Sequence, residues 1–167
     1  MQQPTPDELK TLNQWRRSSF WVVLIGYIGY YLCRGNLSAA LPLLSQEFHF
    51  SNTELGIILT FSELAYAGGK LINGPLADRL GGKFVFLMGM LGAVFFNIVF
   101  TFFSSIFMFT VTWCFCRYFL SMGWGALIKI IGAWYPPERH GTVMGLVSIN
   151  FQTGSGIAFL LCAYLLT

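Results

Sequence analysis

The chain has 167 residues, of which 55 % are hydrophobic, 17 % aromatic and only 10 % charged, with a mean hydropathy of +0.62. A soluble domain carries about 25 % charged residues, so a water-facing surface cannot be built from this composition. The net charge of +3 is small and dispersed. Without a basic run, it excludes a nucleic-acid-binding surface.

Residues 1–14 are polar and contain Pro4 and Pro6. They read as a short flexible tail, with residues 1–17 together forming a cytoplasmic N-terminal segment. The apolar stretch that follows is too long for a signal-peptide core and lacks a small-residue cleavage site, so it stays in the membrane. Residues 20–44 hold one charge, Arg34, while residues 84–116 and 141–167 hold none. A crossing needs about 20 mainly apolar residues. Five spans are expected, at about 18–44, 53–76, 83–103, 106–134 and 141–166, in an all-α membrane protein.

Turn chemistry separates the spans. Pro42 and the polar stretch Gln46–Thr53 close the first hairpin, with Ser51 or Asn52 as N-cap of the second helix. The stretch NGPLADRLGGKF, residues 73–84, forms a charged, glycine-rich loop between the second and third helices. Ser104 and Ser105 divide the third from the fourth, and Pro136-Pro137 stop the fourth because proline has no amide hydrogen. Lys10, Arg16 and Arg17 precede the first span, Arg79 and Lys83 follow the second, and Arg139 follows the fourth. The other two connections carry no Lys or Arg. This alternation follows the positive-inside rule and places the N-terminus and the 77–83 loop in the cytoplasm. The chain stops at Leu166-Thr167 while still apolar, which reads as a fragment of a longer chain or a truncated gene model.

Cys114 and Cys116, two residues apart, point to different faces of a helix, which disfavours a metal site. Cys33 and Cys162 lie at membrane depth as small packing residues. No Ser/His/Asp set, metal cluster or nucleotide loop is present, so neither an enzyme nor a bound cofactor is expected. The Asn36–Ser38 triplet lies within the bilayer and is not a glycosylation signal.

Ionisable residues at membrane depth cost about 2.5–3.5 kcal/mol on insertion scales and tend to face a wet cavity or a partner. Arg34 lies about 21 Å along the first span, too deep to snorkel easily. It shares a helix face with Tyr27, Tyr31 and Ser38. An arginine on such a stripe suits an anionic ligand, since guanidinium binds phosphate bidentately; a structural pair with Glu63 is the other reading. Lys70 lies about 12 Å above the 77–83 loop, where a site role and snorkelling compete. Glu63 stands seven residues earlier, with Tyr66 between them. It is either a proton-coupling carboxylate or the counter-ion of Arg34 or Lys70. Lys129 serves either the site or membrane topology. Arg117, on another face from Lys129, anchors or bridges helices. Ser148, Gln152 and Ser155 form a polar stripe on the fifth span, suited to bonding a substrate or a neighbouring helix. Gly141-x-x-x-Gly145 and Gly154-x-Gly156 favour close helix contact. His49 and His140 fall in loops, where solvent exposure is expected.

Gly74, Asp78, Arg79, Gly81, Gly82 and Lys83 resemble the G-x-x-x-D-R-x-G-x-[KR] motif of the major facilitator superfamily. Gly74 would let helices approach, Gly81 and Gly82 would allow a tight reversal, and Asp78 would meet a helix N-terminus or an arginine on a neighbouring helix. The loop would then latch the cytoplasmic side. GYYLCRGNLSAALPLL in the first span, Lys70 in the second and MGWGALIK in the fourth are similar to the organophosphate:phosphate antiporter branch, across residues 15–167. The resemblance implies a twelve-helix fold in two halves with substrate near the midplane, this chain supplying the first five helices and the missing helices the rest. In that branch, the arginine at the place of Arg34 contacts phosphate and a basic residue stands at Lys129. The branch's phosphate carriers have an apolar residue where Glu63 stands. Its glycerol-3-phosphate transporters have a second base in place of Gly35 and a histidine in place of Phe151, so that particular substrate is not implied.

The expected function is alternating-access transport of a small organic anion, such as a sugar phosphate or other organophosphate, in exchange for inorganic phosphate. Arg34, Lys70, Tyr27, Tyr31, Lys129, Trp124 and Gln152 form the expected substrate set. Gly74, Asp78, Arg79, Gly81 and Lys83 form the expected gate. A proton-coupled symporter using Glu63 and a non-translocating membrane sensor are the alternatives. The chain is expected to be multi-pass, in the plasma (inner) membrane or an organellar membrane.

Overall fold

The computed structural model describes residues 5–165, without the side chains of Pro6, Cys162, Ala163 and Leu165. The packing role expected of Cys162 and the chain end at Leu166-Thr167 lie outside the described residues. Six helices follow one another: α1 (Pro6–Phe48), α2 (Asn52–Leu80), α3 (Gly82–Phe100), α4 (Ile106–Leu120), α5 (Met122–Trp134) and α6 (Pro137–Leu165). α4 and α5 meet at Ser121, whose backbone is itself right-handed helical, and together correspond to the expected fourth span.

Among the described residues, four segments are long and apolar enough to cross a membrane: α2, α3, Ile106–Trp134, and Pro137–Leu161 of α6. α1 is not among them, although five spans are expected. Arg34, Asn36 and the tyrosines at 27, 30 and 31 dilute its hydropathy. Its packing nevertheless places it beside a candidate span, because α1 lies against α6.

α1 also begins earlier than its polar start implies. Thr5 caps it, its hydroxyl accepting from the Glu8 amide at 3.4 Å while the Glu8 carboxylate accepts from the Thr5 amide at 2.8 Å. Such reciprocal capping satisfies two otherwise orphaned donors. Residues 6–14 are therefore helical, and the flexible-tail expectation is corrected there. The start is held further along by Arg16, whose Nε donates to the Trp134 carbonyl at 2.6 Å, and by the Tyr135 hydroxyl, which donates to the Arg16 carbonyl at 3.0 Å. At the other end Pro42 does not close a hairpin but lies inside α1. The chain leaves the helix at His49, whose φ of 55° is left-handed. Ser51 rather than Asn52 then caps α2 through a second reciprocal box with Glu54.

α2 and α3 pack against α4 and α5, while α6 packs against α1. Tyr30, 4 % exposed, ties α1 to α3 by donating its hydroxyl to the Phe86 carbonyl at 2.6 Å. Asn150, also buried, donates from α6 to the Leu24 carbonyl of α1 at 3.2 Å. Asn73 donates from α2 to the Ser121 hydroxyl at 2.8 Å. Helices close enough for these bonds need small residues between them. At Gly89, an added Cβ would run into the Tyr30 hydroxyl, Met122 and the Phe119 carbonyl. On α6 only Gly154 makes such an approach among the described residues, against Tyr31; a Cβ added at Gly141, Gly145 or Gly156 would meet nothing within 4 Å. The expected contact role therefore holds at one of those four glycines.

Candidate functional site

Of the stripe that helical spacing puts on one face of α1, Tyr27 and Tyr31 are buried, Arg34 is half-buried and Ser38 is exposed. Tyr27, Tyr31 and Arg34 line an open cavity of about 430 Å³ together with Tyr66 and Lys70 of α2, Trp124 of α5, and Val147, Ser148 and Phe151 of α6. Its wall is aromatic. Tyr27 lies 5.3 Å from Tyr31 and 5.9 Å from Trp124 between ring centroids, and Tyr31 lies 5.7 Å from Phe151.

Three cations converge on one ring in this wall. The Lys70 ammonium lies 4.7 Å, the Arg117 guanidinium 5.0 Å and the Arg34 guanidinium 5.4 Å from the centroid of Tyr66. Each lies within the roughly 6 Å at which the negative face of an aromatic ring attracts a cation. Arg117 is met by the Glu63 carboxylate, and one ring cannot neutralise the two remaining charges, so Arg34 and Lys70 retain an attraction for anions. Among the described residues, neither Arg34 nor Lys70 is paired with a carboxylate.

Glu63 has a different partner from those expected: it forms an ion pair with Arg117 of α4. Arg117 is buried and its Nε has no hydrogen-bond partner among the described residues, while the Glu63 side chain is 58 % exposed. The pair lies against a second cavity of about 360 Å³, which shares Tyr31 and Arg34 with the first and adds Ser38, Glu63, Trp113, Arg117 and Ser155. Arg117 does bridge helices, as expected, but it also belongs to the cation cluster. Matching depth was the missed clue, since Glu63 and Arg117 each stand eleven residues past the first residue of their helices, Asn52 and Ile106.

The remaining expected substrate residues stand apart. Lys129 forms an ion pair with Asp78 rather than lining either cavity, and Gln152 is exposed outside both. His140 lies in the first turn of α6, half-buried, with its Nε2 donating to the Tyr135 carbonyl at 2.7 Å. It is therefore not a solvent-exposed loop residue. His49 is exposed.

The charged loop is shorter than expected. Residues 73–80 form the last turns of α2, Pro75 included, and α3 starts at Gly82. The reversal falls on Gly81 alone, whose φ of 84° suits a residue without a Cβ. Close approach occurs at Gly82, where an added Cβ would lie 2.6 Å from the Ala126 carbonyl oxygen. A Cβ added at Gly74 would meet nothing within 4 Å among the described residues, so no such approach is made there. Asp78 meets a lysine on α5, neither a helix N-terminus nor an arginine. Arg79 and Lys83 are exposed on either side of the reversal.

Residues 23–167 match the sequence profile of the Major Facilitator Superfamily. A glycerol-3-phosphate transporter of Bacillus subtilis is 34 % identical over 151 residues, covering 85 % of this chain and 33 % of that protein. A probable hexose phosphate transport protein of Chlamydia pneumoniae is 27 % identical over 157 residues, covering 94 % and 34 %. The membrane sensor protein UhpC of Escherichia coli is 26 % identical over 145 residues, covering 86 % and 33 %. The chain thus spans about a third of the length of these curated relatives. No solved structure matches it.

Proposed function

From the premise that the chain belongs to the Major Facilitator Superfamily, we propose that it forms part of a secondary transporter. The transporter exchanges a sugar phosphate or other organophosphate for inorganic phosphate by alternating access. The observation that carries the reading is the pair of cations Arg34 and Lys70, held on the Tyr66 ring beside an open cavity and, among the described residues, without a carboxylate partner. A phosphate brings the missing negative charge, and Arg34 grips it with parallel hydrogen bonds while Lys70 acts as a point charge. The names of the glycerol-3-phosphate and hexose phosphate relatives support the same class of cargo.

Tyr27, Tyr31 and Trp124 line the cargo's route. In the superfamily's two-bundle arrangement, the opposite wall of the cavity comes from a second bundle, which the relatives' greater length can accommodate. The Asp78–Lys129 pair joins the end of α2 to α5 and acts as a latch on the cytoplasmic side, next to the Gly81 reversal. The N-terminus lies on that side, and the protein sits in the plasma membrane.

Two other readings have specific support. The similarity to a protein named as a membrane sensor supports binding without translocation. A half-exposed carboxylate at Glu63 supports proton coupling. The test is counterflow in liposomes that hold the full-length protein and are loaded with phosphate. Exchange has external glucose 6-phosphate entering as phosphate leaves, in the absence of a pH gradient. Saturable binding without flux would replace transporter with sensor. Uptake that requires acid outside, lost in Glu63→Gln, would replace exchange with proton symport.

A further inference from the structure

We infer that the cavity beside the Glu63–Arg117 pair is a subsite for the hydroxyl groups of the cargo, and that it selects polyhydroxylated phosphomonoesters over phosphoesters bearing a second acidic group. The inference rests on the proposed phosphate site and deepens it.

Arg34 borders both cavities. A phosphate against Arg34 and Lys70 therefore leaves its esterified portion next to the second space. Glu63 lies roughly 10 Å from Lys70 along α2, at 1.5 Å per residue. What faces the cargo there is polar but balanced in charge. The Arg117 charge is already met by Glu63, so the pair offers no net attraction to another anion, and the half-exposed carboxylate repels one. Hydroxyl groups can serve both partners, donating to the carboxylate and accepting from the guanidinium, in bonds strengthened by charge.

The serines point the same way. Thr60, Thr110, Ser148 and Thr153 each return their hydroxyl to the carbonyl four residues earlier, at 2.8–3.0 Å. Ser38 and Ser155, which line this cavity, have no such bond and no other hydrogen-bond partner among the described residues. Their hydroxyls are left to donate to and accept from a ligand. Trp113 adds an aromatic surface to the same wall, suited to the C–H faces of a sugar.

The test uses the full-length protein in phosphate-loaded liposomes. Glucose 6-phosphate and 3-phosphoglycerate compete against labelled inorganic phosphate, and each inhibition constant is expressed relative to that for unlabelled phosphate. In the unaltered protein, glucose 6-phosphate should compete about 10-fold or more better than 3-phosphoglycerate, the scale of one charge-assisted hydrogen bond. Glu63→Gln should reduce that ratio to within about 3-fold. The double variant Glu63→Gln/Arg117→Gln leaves no unpaired buried cation and should behave the same, which separates selectivity from misfolding. Equal or better competition by 3-phosphoglycerate in the unaltered protein would overturn the subsite, as would an unchanged ratio in the double variant. Absence of any phosphate exchange in the unaltered protein would instead overturn the transport reading, and the subsite with it.

Discussion

Gly74 and Gly82 belong to one short motif but meet opposite surroundings, so alanine at each should give opposite results. A Cβ at position 82 would lie 2.6 Å from the Ala126 carbonyl oxygen and 2.9 Å from the Lys129 Cβ. The first of these is backbone and cannot swing aside, so α3 must move away from α5. Overpacking of this kind costs about 1–3 kcal/mol. At position 74 nothing lies within 4 Å, and replacing a helical glycine with alanine gains up to about 1 kcal/mol in propensity. A chain of this size shifts by roughly 2–4 °C per kcal/mol. In detergent, the apparent midpoint of thermal unfolding should therefore fall by roughly 2–12 °C for Gly82→Ala, and stay level or rise slightly for Gly74→Ala. Equal stability of the two variants would refute the helix packing at the reversal.

The Asp78–Lys129 pair joins two side chains that are each about half exposed, so it is screened and worth about 0.2–1 kcal/mol. Asp78→Asn and Lys129→Gln should each change the exchange rate by no more than about 5-fold, and the double variant should match either single one, as a double-mutant cycle in the transport assay would show. The Glu8 carboxyl is held below its usual 4.5 by hydrogen bonds from the Thr5 backbone and side chain. Its capping contribution is therefore complete above the ordinary carboxylate range and lost as pH falls through the lowered value. An NMR titration of Glu8 should place its midpoint below 4.5, returning towards that value in Thr5→Val. An unshifted midpoint in the unaltered protein would remove the cap.

Helical content and span order were legible because long apolar runs, interrupted by Gly, Pro and Ser, specify them locally. The start of α1 was hidden because its stability comes from the Thr5–Glu8 cap and the Arg16–Trp134 tie, not from hydropathy. The 73–84 stretch looked like a loop because glycine and proline usually break helices. Pro75 is nevertheless accommodated in α2, and Gly81 alone makes the reversal. That Tyr27, Tyr31 and Arg34 share one face of α1 followed from helical spacing. Partnerships between helices did not follow, because they depend on how the helices are arranged. Glu63 found Arg117, and Lys129 found Asp78. Tyr66, noted only as lying between Glu63 and Lys70, became the meeting point of three cations.

The most direct measurement is phosphate exchange by the full-length protein carrying Arg34→Ala or Lys70→Ala, with membrane insertion checked in parallel. If these two cations hold the phosphate, exchange falls to background in both variants while expression is retained, and Arg34→Lys restores little because an ammonium cannot reproduce the bidentate grip. Near-normal exchange in both alanine variants would contradict the proposed site.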